Sequence, residues 1–137
     1  MAPESALTVL RKGFLPHFSD DALTYARHAL MTRDDMWVQG ATTSPPPLQC
    51  TQDWPVECGC FVALLSWGEF VTTTGLHPTV GDIENRFAKA CYQADLDVGE
   101  PAGCRWLLNW HDEDPRDEVK AVLIHELDAE LKRRHTP

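Results

Sequence analysis

The chain places a thiol, Cys60, two residues after another, Cys58, and directly ahead of its most apolar run, Phe61 to Val71. If that run is a helix, Cys60 stands at its start, where free backbone amides and the helix dipole lower a thiol's pKa and favour a nucleophile. A nucleophile needs a base and a group to orient the base, and the sequence offers His111 with Asp112 or His125 with Asp128. The same sulfurs suit a second chemistry. Cys50, Cys58, Cys60 and Cys104, with His77 and His111 as further partners, are the soft and borderline donors that tetrahedral zinc takes. Structural zinc sites, however, commonly set roughly two to four residues between paired cysteines, and here only Gly59 intervenes. A third grouping is Trp110-His111-Asp112-Glu113-Asp114, with His125-Glu126 and Asp128 downstream. His125-Glu126 lacks the second His of a helical zinc-protease site, and adjacent helical residues point about 100° apart instead of converging. Helix capping and a solvated face account for these acids.

A plainer use of the same residues stands beside each chemistry. Five cysteines are an odd number, so they cannot all pair within one chain, and in a reducing compartment Cys behaves as a small buried apolar residue. The tryptophans Trp37, Trp54, Trp67, Trp106 and Trp110 are enough to line a ligand pocket or anchor a partner. The simpler expectation puts Trp67 and Trp106 in the core and uses Trp37 and Trp110 to fasten loops onto it. Eight scattered glycines match neither spaced-glycine phosphate motif. At 137 residues, 43% hydrophobic and 24% charged, the chain is one domain's worth of ordinary globular composition. Twelve Lys and Arg against 21 Asp and Glu leave a formal charge of −9. That balance argues against direct nucleic-acid or anionic-membrane binding, which needs a cationic surplus. No apolar run nears the roughly 20 residues of a membrane span. The first residues lack the basic-then-apolar order of a signal peptide, so the expected location is the cytoplasm.

The candidate residues must be positioned by helices. Residues 1–18 read as an N-terminal arm and 19–137 as a single helical domain. Ser19 caps a first helix, with Asp20 and Asp21 in its first turn and Leu23, Ala26 and Leu30 on one face. Pro45-Pro46-Pro47 makes residues 41–57 a loop, since three prolines supply no amide hydrogen. Cys58 to Val71, apolar nearly all round, reads as a buried central helix. Thr79 and Asp82 form a capping pair ahead of Ile83, Phe87, Ala90 and Cys91, and the acidic stretch Asp95 to Glu100 ends that helix. Asp114 as N-cap and Pro115 at the first position open the last helix. Its buried stripe is Val119, Val122, Leu123, Leu127 and Leu131, with Lys132, Arg133 and Arg134 at the negative end. About four helices and no alternating strand give a compact all-α, or α-rich, bundle.

Three of these pieces fall in one order: Trp37-Val38-Gln39-Gly40, then Cys60-Phe61-Val62-Ala63-Leu64-Leu65, then Leu108-Asn109-Trp110-His111-Asp112 before a terminal amphipathic helix. In that order the chain resembles, over about residues 20–134, an uncharacterised family of small actinobacterial and actinophage proteins (domain of unknown function 6197). That family carries a W-x-Q-G element, a C-A-L-G-A-L-like helix and a W-N-D element. His111 stands here in place of the Asn and Ala63 in place of the Gly. The resemblance implies a compact helical domain and no activity. A site built from its motif would use Trp37, Gln39, Cys60, Trp110 and Asp112; the equal alternative is that Trp and Asp here fix the last helix. Cys58-Gly59-Cys60-Phe61 also has the look of the nucleophile segment of papain-like cysteine peptidases, which place the base on a strand that this sequence does not offer.

The leading reading is a small acidic helical binding module without metal or cofactor, acting by contact with a basic protein partner. It would serve as a phage-related or accessory regulator, or as an inhibitor that imitates nucleic-acid charge. A thiol enzyme using Cys60 with a His partner is the first alternative, and a structural zinc protein on Cys50, Cys58, Cys60 and Cys104 the second.

Overall fold

A computed structural model describes residues 2–136; residues 1 and 137, the outer ends of the expected arm and domain, lie outside the described residues. Six α-helices make the body: α1 (Glu4–Val9), α2 (Asp20–Thr32), α3 (Phe61–Thr74), α4 (Val80–Val98), α5 (Arg105–Glu113) and α6 (Arg116–Arg134). The sheet found among the described residues is minimal, with β1 (Thr43–Ser44) antiparallel to β2 (Cys58–Gly59) and Thr43 opposite Gly59. The expected all-α class holds, with six helices in place of four. The two extra ones are short, and neither carries a side-chain cap: Pro3 precedes α1 and Cys104 precedes α5.

Local signals set the other helix starts. Ser19 accepts from the Ala22 amide at 3.1 Å, and Thr79 and Asp82 bond reciprocally at 2.9 and 3.2 Å. α4 runs through the acidic stretch to Val98 and stops only at Gly99, whose φ of 71° is left-handed. Asp114 is the C-cap of α5, and Pro115 itself is the N-cap of α6, so each cap lies one place away from the expected arrangement. α3 is the central helix, with every residue from Phe61 to Gly68 buried. Gly68 lets α2 approach it closely, since a Cβ there would meet the Cβ of Tyr25 at 2.7 Å.

The expected N-terminal arm is part of the core. Ala6, Val9, Leu10, Phe14, Leu15 and Phe18 are all buried, carried by α1, a π-helical turn over Leu10–Phe14 and a 3₁₀ turn over Leu15–His17. Gly13 lies on α4, where a Cβ would meet that of Ala94 at 2.9 Å. Arg11 grips the buried Glu126 of α6 with two bonds, 2.6 and 2.9 Å long. At the far end of α6, Arg134 reaches Asp20 and the Leu15 carbonyl. These links make one body of the segment and the bundle. No helix among the described residues is long and apolar enough to cross a membrane.

Candidate functional site

The segment 37–40 runs from a 3₁₀ turn (Asp34–Met36) along β2, and it is held there by the Val38 amide donating to the Gly59 carbonyl at 3.0 Å. This lays Trp37 between α5 and α6. Arg116 stacks 4.2 Å above its ring and donates to the carbonyls of Asp34 and Trp37. The indole N–H of Trp37 donates to Nε2 of His111 at 2.8 Å, and the Phe61 amide, the first of α3, donates to the same nitrogen at 3.3 Å. Both are donors only, so Nε2 must be the acceptor and Nδ1 must carry the proton. Nδ1 then donates to Asp112 at 2.7 Å. Asp112 also accepts from the Gly40 amide at 2.9 Å, at a residue whose φ of 86° favours glycine. Gln39 completes the clasp by donating to the carbonyls of His111 and Asp114, both at 2.8 Å, which closes the C-terminal end of α5.

Burial lowers the pKa of His111, and Arg116 acts in the same direction, against the pull of Asp112. The ring is 1% exposed and is held neutral. Cys60 is the N-cap of α3, near the amides of Val62 and Ala63 but with no cap hydrogen bond to its side chain. Those amides favour the thiolate, but burial outweighs them and the Asp112 charge adds to burial, so the thiol is pushed up to about 12. Native protein treated with iodoacetamide at neutral pH is therefore expected to label at the exposed Cys50 and to leave Cys60 untouched until denaturant is added. Peptide mapping by mass spectrometry measures this, and rapid native labelling of Cys60 would contradict it.

Of the motif residues, Trp37, Gln39 and Asp112 converge on α5, joined by His111 and by Cys60 through its neighbour Phe61. Cys60 and Asp112 also share a small cavity of about 140 Å³ with Gly40, Thr42, Phe87 and Leu108. Trp110 does not join them; it faces the N-terminal segment beside Pro3. The four cysteines suggested for zinc do not meet. Cys50 is exposed, Cys58 sits in β2, and Cys104 lies at the start of α5 beside Cys91, with its amide donating to Asp95 at 2.7 Å. Among the described residues, no three His, Cys, Asp or Glu side chains are grouped to hold a metal ion. His125 is exposed on α6, and its suggested partner Asp128 pairs with Arg27 at 2.5 Å. His77 bonds the Val56 carbonyl at 2.7 Å and stands edge-on to Trp67.

Two further concavities escaped the sequence reading. A cleft of about 580 Å³ is lined by Tyr25, Trp67 and Met36 and carries groups of both signs, Arg33, Glu57 and His77. A groove of about 600 Å³ runs between the start of α1 and the outer face of α5. Trp67 is in the core as expected, whereas Trp106 is 40% exposed and Trp110 only 6%. Compared with family models, with curated proteins and with solved structures, the chain matches none.

Proposed function

We propose that this chain is a binding module for a basic protein partner, and that its Cys–His–Asp convergence serves the body of the fold. The observation that carries the reading is the double use of His111 Nε2, which accepts from Trp37 and from Phe61. A general base paired with Cys60 would need that lone pair free. The choice of partner follows from charge. With a formal −9, the surface attracts cationic proteins over distances set by salt, and its carboxylates on a rigid helical frame compete for surfaces that otherwise hold nucleic acid. A cytoplasmic accessory regulator or inhibitor is the role that fits such a module.

Isothermal titration with a synthetic Lys/Arg-rich peptide tests the reading. Affinity is expected to fall about tenfold or more between about 50 mM and about 300 mM salt, as screening shortens the reach of the surface charge. Affinity indifferent to salt, or no binding at the lower salt, overturns it.

A further inference from the structure

Trp106, Asn109, Trp110 and Glu113 stand three, four and seven places along α5, which puts them on one helical face. The groove between this face and Pro3 contains no Lys, Arg or His; its charged lining is Glu113 and Asp114, and neither forms an ion pair among the described residues. Trp106 offers an accessible indole face beside them. Trp110 lines the same groove, and its ring N–H is shielded from water with no acceptor among the described residues. A buried indole N–H nearly always has a partner, so Trp110 is an exceptional residue in the wall of this groove.

We infer that this face of α5 is a docking site for an extended peptide segment bearing arginine, supplied by the partner protein. This inference rests on the reading of the chain as a module for a basic partner. The guanidinium stacks on Trp106 and forks onto Glu113 and Asp114, a geometry that suits arginine better than lysine because the fork is planar. The groove volume of about 600 Å³ suits a few residues of extended chain. The cleft beside Trp67, with charges of both signs, makes no comparable choice of ligand.

The test is a titration of ¹⁵N-labelled protein with acetyl-Pro-Arg-Pro-Arg-Pro-amide, followed at the tryptophan indole resonances. The Trp110 signal is identified by its loss in Trp110→Phe. Saturable shifts at Trp106 and Trp110 are expected, as the peptide covers the face that both line. Replacing both arginines of the peptide by glutamine, or the protein's Trp106 by alanine, is expected to weaken binding by about tenfold, the scale of one cation–π contact. Glu113→Gln, at an exposed position, provides a second variant should Trp106→Ala disturb the fold. Salt-sensitive binding that shifts Trp54 or Trp67 instead overturns the assignment of the site while leaving the module reading in place. Equal binding of the glutamine peptide overturns the arginine chemistry. No binding of the arginine peptide at low salt overturns both.

Discussion

Deleting residues 1–18 is expected to leave a chain that no longer unfolds cooperatively, with loss of near-ultraviolet dichroism and exposure of surface that binds apolar dyes. The segment supplies Val9, Leu10, Phe14, Leu15 and Phe18 to the core, each no more than 2% exposed. Its removal uncovers Ala94 of α4, on which Gly13 lies, and the side of α6 at Glu126 that Arg11 grips. Each large apolar side chain withdrawn from the core forfeits roughly 1.5–3 kcal/mol, against a total stability of roughly 5–15 kcal/mol for a domain of this kind. A point substitution grades the same effect without dismantling the fold. Phe14→Ala, at a position that is 0% exposed, is expected to cost about 4 kcal/mol in urea unfolding, from lost burial and the cavity left behind. A truncated chain that melts in a single sharp transition with native dichroism would show instead that 19–137 folds alone.

Which parts of this architecture could be read from the sequence depends on the range of the forces involved. Ser19 and the Thr79–Asp82 pair act within one helical turn, so their caps are visible in the residues themselves. α1 is not, because its start is capped by no side chain and its apolar spacing is disturbed where the π-helical turn widens the winding over Leu10–Phe14. The clasp joins residues 50 to 75 positions apart, Phe61 and Trp37 to His111 and Gln39 to Asp114. Motif order grouped Trp37, Gln39, Cys60, Trp110 and Asp112, of which Trp110 faces elsewhere, and it did not single out His111 as the hub. The two tryptophans of α5 show the limit most plainly. Trp106 and Trp110 are four apart and share a face, so which one is covered depends on how the N-terminal segment packs along α5, a tertiary fact with no local signal.

His111→Ala tests the hub directly, and it is expected to lower the free energy of unfolding by about 4 kcal/mol at pH 8, measured by urea denaturation. The substitution strips the acceptor from two donors, the Trp37 indole and the Phe61 amide, each at about 1–3 kcal/mol when buried unpaired, and it leaves a void in the packing. The pH dependence separates this role from a merely space-filling one. Burial lowers the imidazole's pKa in the folded protein below its ordinary value of 6.5, so the unfolded chain binds the proton more readily. The stabilisation from the neutral ring is therefore complete above pH 6.5 and is lost as pH falls toward the depressed folded-state value. Protonation would place a hydrogen on Nε2, directly against the Trp37 and Phe61 donors, with the Arg116 charge adding to the penalty. The difference between native protein and His111→Ala is accordingly expected to be larger at pH 8 than at pH 5. A constant difference would mean that folding leaves the ring's proton affinity unchanged, and one that grows toward acid that the imidazole is held charged and bonded to Asp112 as an ion pair. Nε2 would then be a donor, and the clasp would need a different set of partners from the one that Trp37 and Phe61 supply.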